Sequence, residues 1–132
     1  MSNIAMLHEK NPKQVLLDQV GATVDRLKIL NTQVLVAVYI RPEKTKGGII
    51  MSNQTRDEDR HQSKVGLILK KGPSAFVEDG EKKWFGDVTF NEHDWVVFRP
   101  SDGWAITING TLCRMIEDVS VKMQISHPDD VY

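Results

Sequence analysis

Residues 34–72 read "VLVAVYIRPEKTKGGIIMSNQTRDEDRHQSKVGLILKKG", and the fold turns on how this stretch divides. Both ends are rich in β-branched residues, which suit the pleated, half-buried surface of a sheet. The first run predicts a core strand over about 32–40 that stops at Arg41-Pro42, because proline has no N–H for a central ladder. The second, "KVGLILKKG", predicts a strand bounded by glycines. Between them runs a polar excursion, loop 42–64, with one apolar triplet, Ile49-Ile50-Met51, behind Gly47-Gly48. Two readings of that triplet stand open here. It is either a short strand tucked into the core, as strand propensity suggests, or an apolar grip carried on a flexible polar span and offered to a partner.

Outward toward the N-terminus, residues 1–10 show no sustained period and read as an arm. Then "NPKQVLLDQVG" assembles several helix signals: Asn11 as a cap, Pro12 in the first turn, Leu16 and Val20 on one face, and Gly21 as a terminator. A helix over about 11–20 is predicted.

Toward the C-terminus, "PSAFVEDGEKKWFGDVTF" places the turn pair Asp79-Gly80 between short β-prone runs, which predicts an exposed hairpin. The segments "DWVVFRP", "GWAITING" and "TLCRMI" follow, with Asp102-Gly103 and Asn109-Gly110 between them, and read as a three-strand meander. In "EDVSVKMQI", Val119, Val121, Met123 and Ile125 alternate with polar residues, the period of one half-buried strand. Short strands with a turn about every ten residues predict a small all-β barrel or sandwich.

The 132 residues suffice for one domain, with 40% hydrophobic and 27% charged residues as in an ordinary globular protein. Formal net charge is only −1, so the electrostatic footprint of a nucleic-acid binder is missing and no nucleic-acid partner is expected. Cys113, the lone cysteine, is expected to be a small buried hydrophobe in a reducing compartment. The start "MSNIAMLHEKNPKQVLL" has neither a basic lead nor an unbroken apolar run, which predicts no signal peptide, no membrane partner and a cytoplasmic protein.

Catalytic patterns fall short one by one. There is no G-x-S-x-G elbow, and Ser63, His93 and Asp94 share no nucleophile motif. His8, His61, His93 and His127 lack metal-ligand spacing. In "RDEDRH" the alternation of Asp57, Asp59 and His61 suggests a calcium loop, yet Gln62 stands where that loop needs glycine. Gly47-Gly48 has no Lys-Ser or Lys-Thr after it, as a phosphate loop would. No cofactor, no metal and no enzymatic activity are expected. Of the tryptophans, Trp95 in "DWVVF" reads as core, whereas Trp84 and Trp104 divide evenly between packing and contact with a neighbouring subunit or client.

With these pieces in place, "VLVAVYIRPEKTKGGIIMSNQTRDEDRHQSKVGLILKKG" resembles the GroES-type co-chaperonin family, and the likeness runs over about residues 32–126. It implies a GroES-like β-barrel over 27–132 behind an N-terminal arm with a short helix over 1–26. It also implies a candidate roof hairpin over 73–88 and a chaperonin-binding loop whose contact is Gly47, Gly48, Ile49, Ile50 and Met51. The implied partners are a GroEL-type chaperonin ring and further copies of the chain in a heptamer. "HDWVVFRPSDGWA" is similar to the family's "GD-x-V-x-F…DGYG" segment, with Trp104 at the tyrosine and His93 at the glycine. The extension 1–26 and the divergent detail look like a bacteriophage-encoded member, with a phage capsid protein as client. The alternative keeps the fold but makes the chain a virion cement protein that clamps capsid subunits with its arm, loop and tail.

Overall fold

A computed structural model describes residues 10–42, 50, 62–77, 85–86 and 88–131. The chain opens with helix α1 (Pro12–Val20), started as its sequence dictates: the Asn11 side chain accepts from the Lys13 N–H at 2.9 Å, and proline occupies the first turn. Gly21 ends it at φ 60°, a conformation that costs glycine little, and donates its N–H to Leu17 O. A 3-10 segment, Gly21–Arg26, then carries the chain to the sheet.

Among the described residues six strands follow: β1 (Gln33–Val38), β2 (Val65–Lys71), β3 (Trp95–Val97), β4 (Trp104–Ile108), β5 (Thr111–Glu117) and β6 (Met123–Ile125). All pairings are antiparallel, in the order β4-β5-β1-β2-β3-β6. The expected all-β fold is therefore present, with β1 and β2 at the centre of the sheet. Being central, they bury both faces, which explains their nearly unbroken runs of Val, Leu and Ile.

Side chains alternate between two cores. Leu35, Ala37 and Tyr39 join Val65, Leu67, Leu69 and Trp95 on one face, where Leu16, Val20 and Val24 from the N-terminal segment cover them. Val34 and Val36 join Ile68, Val96, Phe98 and Ile116 on the other, beneath Ala75, Phe76, Phe90 and Val121. Trp95 is core as expected, and Cys113 is fully buried.

Two expectations are corrected. The meander does not form: β4 and β5 pair around Asn109-Gly110, but β3 pairs with β2 and β6 and never with β4. The β3–β4 connection instead crosses the molecule. Nor is the tail one strand. Asp118–Ser120 forms a 3-10 turn before β6, because the Asp118 N–H is captured by Thr32 O and its carboxylate by the Phe76 N–H. Val121 is buried after this break, whereas Val119 and Met123 face outward. The turn pair Asp79-Gly80 of the expected hairpin lies outside the described residues.

Candidate partner-binding site

The sheet positions loop 42–64 by closing its two stems. Tyr39, just past β1, donates its N–H to Val65 O at 2.9 Å, and Ser63 Oγ donates back to Tyr39 O at 2.7 Å. Phe98 adds an N–H to Lys64 O at 2.9 Å. Ser63 is 3% exposed, so the hydroxyl buried at this neck has its partner. The spread of directions open to a loop depends on how firmly its ends are held, and these ends are held by backbone as well as side chain.

Of the five expected contact residues, Ile50 is described. It is 70% exposed, so it takes no place in either core. Gly47, Gly48, Ile49 and Met51 lie outside the described residues, as does Trp84. Trp104 sits on edge strand β4 opposite Met115 and is 56% exposed. An exposed aromatic on a strand that has no second neighbour among the described residues offers both apolar area and backbone hydrogen-bonding groups.

Sequence reading missed the groups at the neck. Tyr39 is buried, its ring 5.8 Å from Trp95 in an edge-on arrangement, and its hydroxyl donates to Asp129 Oδ1. Asp129 belongs to a C-terminal 3-10 turn, Pro128–Asp130, in which the Asp129 N–H donates to His127 Nδ1 and the His127 N–H to Asp130 Oδ2, both at 3.1 Å. A signal for this turn exists in "HPDD", where a side-chain acceptor precedes proline and two acidic residues, as at a helix start.

Elsewhere the chemistry is structural. Burial pushes the Cys113 thiol up to about 12, which leaves it protonated and a poor nucleophile. The Arg99 side chain, hydrogen-bonded to Asp102 at 3.1 Å, holds that carboxyl below its ordinary value. Arg114 in turn donates to Asp102 O and Gly103 O, fixing the crossing connection. Among the described residues no helix is long and apolar enough to cross a membrane.

Strands β1 to β5, the long excursion between β1 and β2 and the crossing connection all fall within residues 26–124, which match the sequence pattern of the Cpn10 family, described as the chaperonin 10 Kd subunit. The chain belongs to this family. Its small all-β sheet is the GroES-like fold. A similar curated protein, "Co-chaperonin GroES" of Leuconostoc citreum (strain KM20), is 29% identical over 84 residues, which cover 64% of this chain and 82% of that protein. Helix α1 precedes the family's match, yet Leu16 and Val20 are part of this member's core.

Proposed function

We propose that the chain is a co-chaperonin that caps a GroEL-type chaperonin ring through loop 42–64. Family membership supports the role, and the observation that carries the site is Ile50, 70% exposed on a loop whose stems are pinned at Tyr39, Ser63 and Val65. In this reading Gly47 and Gly48 let the backbone turn into a groove while Ile49, Ile50 and Met51 fill it. Burying each side chain contributes roughly 1.5–3 kcal/mol, against the entropy of ordering the loop. One loop therefore binds weakly. A heptamer presents many copies, and linked weak contacts give firm yet reversible capping. Trp104, at the sheet edge, contacts a neighbouring subunit or the enclosed client.

The finer reading is a bacteriophage-encoded member acting in the host cytoplasm on a capsid protein, drawn from the extra residues 1–26 and from divergent details such as His93. The cement reading would use residues 1–26 as a clamp, but Leu16, Val20 and Val24 are spent on the chain's own core. The lid is therefore preferred. The test is co-sedimentation with a GroEL-type ring, with ADP, ATP or neither, using the wild type and the Ile49→Ser/Ile50→Ser variant. Nucleotide-dependent binding that the variant loses is expected. A folded variant that binds as the wild type does would show that the triplet is not the contact.

A further inference from the structure

The neck of loop 42–64 is tied to a segment far away in sequence, and Tyr39 is where the tie is made. Its backbone bonds Val65 and Ser63 on the opposite stem. Its ring is buried against Trp95, and its hydroxyl reaches the carboxylate of Asp129, 90 residues on. Asp129 is presented by the Pro128–Asp130 turn, which the reciprocal bonds between His127, Asp129 and Asp130 hold in shape and whose Pro128 is itself buried.

Apolar packing alone does not call for this arrangement. A phenylalanine at 39 would fill the same space without bringing a hydroxyl into a site that is 3% exposed, where it needs a partner. The same holds for Ser63, a buried hydroxyl in an otherwise polar connection. Hydroxyls at both stems, each satisfied, spend polar groups on one junction: the point where the loop leaves the sheet.

We infer that the C-terminal turn is a collar for the loop, with Tyr39 and Asp129 as positioning residues that fix the direction in which loop 42–64 leaves the sheet. The inference rests on the proposed capping of a chaperonin ring, and deepens it by making a distant part of the chain a determinant of affinity. Several loops bind one ring together only when all point within reach of their sites, and effective concentration falls steeply when they do not. A small loss of direction in each loop is thus multiplied in the assembly. Preorganised segments also lose less entropy on docking.

The experiment uses the full chain as wild type, Tyr39→Phe, Asp129→Ala and Asp129→Asn. Three quantities are read: thermal midpoint, amide exchange at Tyr39 and Val65 in the free protein, and affinity for a GroEL-type ring with ADP. Tyr39→Phe and Asp129→Ala are expected to bind about tenfold more weakly and to exchange faster at the neck. Asp129→Asn keeps an acceptor oxygen and is expected to stay within about twofold of wild type. A purely structural contact would lower the thermal midpoint and leave affinity unchanged. Wild-type affinity in Tyr39→Phe, or equal losses in Asp129→Asn and Asp129→Ala, would overturn the collar. Should the wild type fail to bind the ring, the capping proposal falls, and exchange at the neck judges the tie by itself. Faster exchange in Tyr39→Phe then upholds it, and unchanged exchange overturns it.

Discussion

The two faces of the sheet are covered in different ways. On the first, Leu16 and Val20 come from the regular helix α1, and Val24 follows four residues later. On the second, Ala75, Phe76, Phe90 and Val121 come from connections outside the strands. Phe76 sits at φ 58°, its N–H held by the buried Asp118 carboxylate at 3.0 Å and its ring stacked on Phe90 at 4.6 Å. A helix covers a face by periodicity, which repeats and forgives. Connections cover it by single contacts, so the second face should be brittle where the first is tolerant.

The sharpest test of that brittleness is Gly103, where the crossing connection meets the back of Ile116. Its φ is 68°, and a Cβ there would lie 2.0 Å from Met115 O and 2.8 Å from Ile116 Cγ2. Gly103→Ala adds left-handed strain to a clash with backbone, and a loss of about 4 kcal/mol is expected in denaturant unfolding. A loss under about 1 kcal/mol would mean that the connection moves freely and that the contrast between the faces is wrong.

On the first face, Leu16→Ala removes a side chain that is 8% exposed and leaves a cavity under α1. A loss of about 3 kcal/mol is expected, the same by heat or denaturant. Because α1 lies ahead of the family's match, this variant also asks whether the helix belongs to the cooperative unit. An unfolding transition unchanged from wild type would sever it from the first core. On the second face, Asp118→Ala strands the Phe76 N–H, and a loss of about 2 kcal/mol is expected, with Asp118→Asn losing less. The two sites lie on opposite faces, so Leu16→Ala and Asp118→Ala together should lose the sum of their effects. Coupling beyond about 0.5 kcal/mol would join what the comparison separates.

The same contrast explains which features the sequence betrays. Helix α1 announces itself through Asn11, Pro12 and Gly21, and β1 and β2 through branched runs, because local signals report local structure. The pairing of β3 with β2 and β6 is different, since nothing in "DWVVF" says which distant strand it will meet. The tail misleads for a related reason. Its alternation is real, but Asp118 is captured by Thr32 and Phe76, about 86 and 42 residues away, and a long-range bond overrides a local period. At the candidate site, the apolar triplet stands out in its polar setting, and Ile50 is exposed. The neck does not stand out, because Tyr39, Ser63 and Asp129 are ordinary residues until the fold brings them together.

The smallest effect runs in the opposite direction. His93 occupies a turn at φ 73° where its N–H donates to Ile68 O at 2.7 Å, next to Asp94, whose carboxylate accepts from Asn91 N–H at 2.8 Å. A side chain in the left-handed region costs roughly 1–2 kcal/mol, and glycine avoids that strain at the expense of greater freedom in the unfolded chain. His93 is exposed, so removing the imidazole takes little packing with it. His93→Gly is therefore expected to raise stability by about 0.5–1 kcal/mol, seen as a higher denaturant midpoint at unchanged slope. A fall instead would mean that the histidine ring contributes something to the second face that its exposure conceals. A gain would show that this face carries unrelieved strain at one connection while depending on Gly103 at another, which is what cover by single contacts entails.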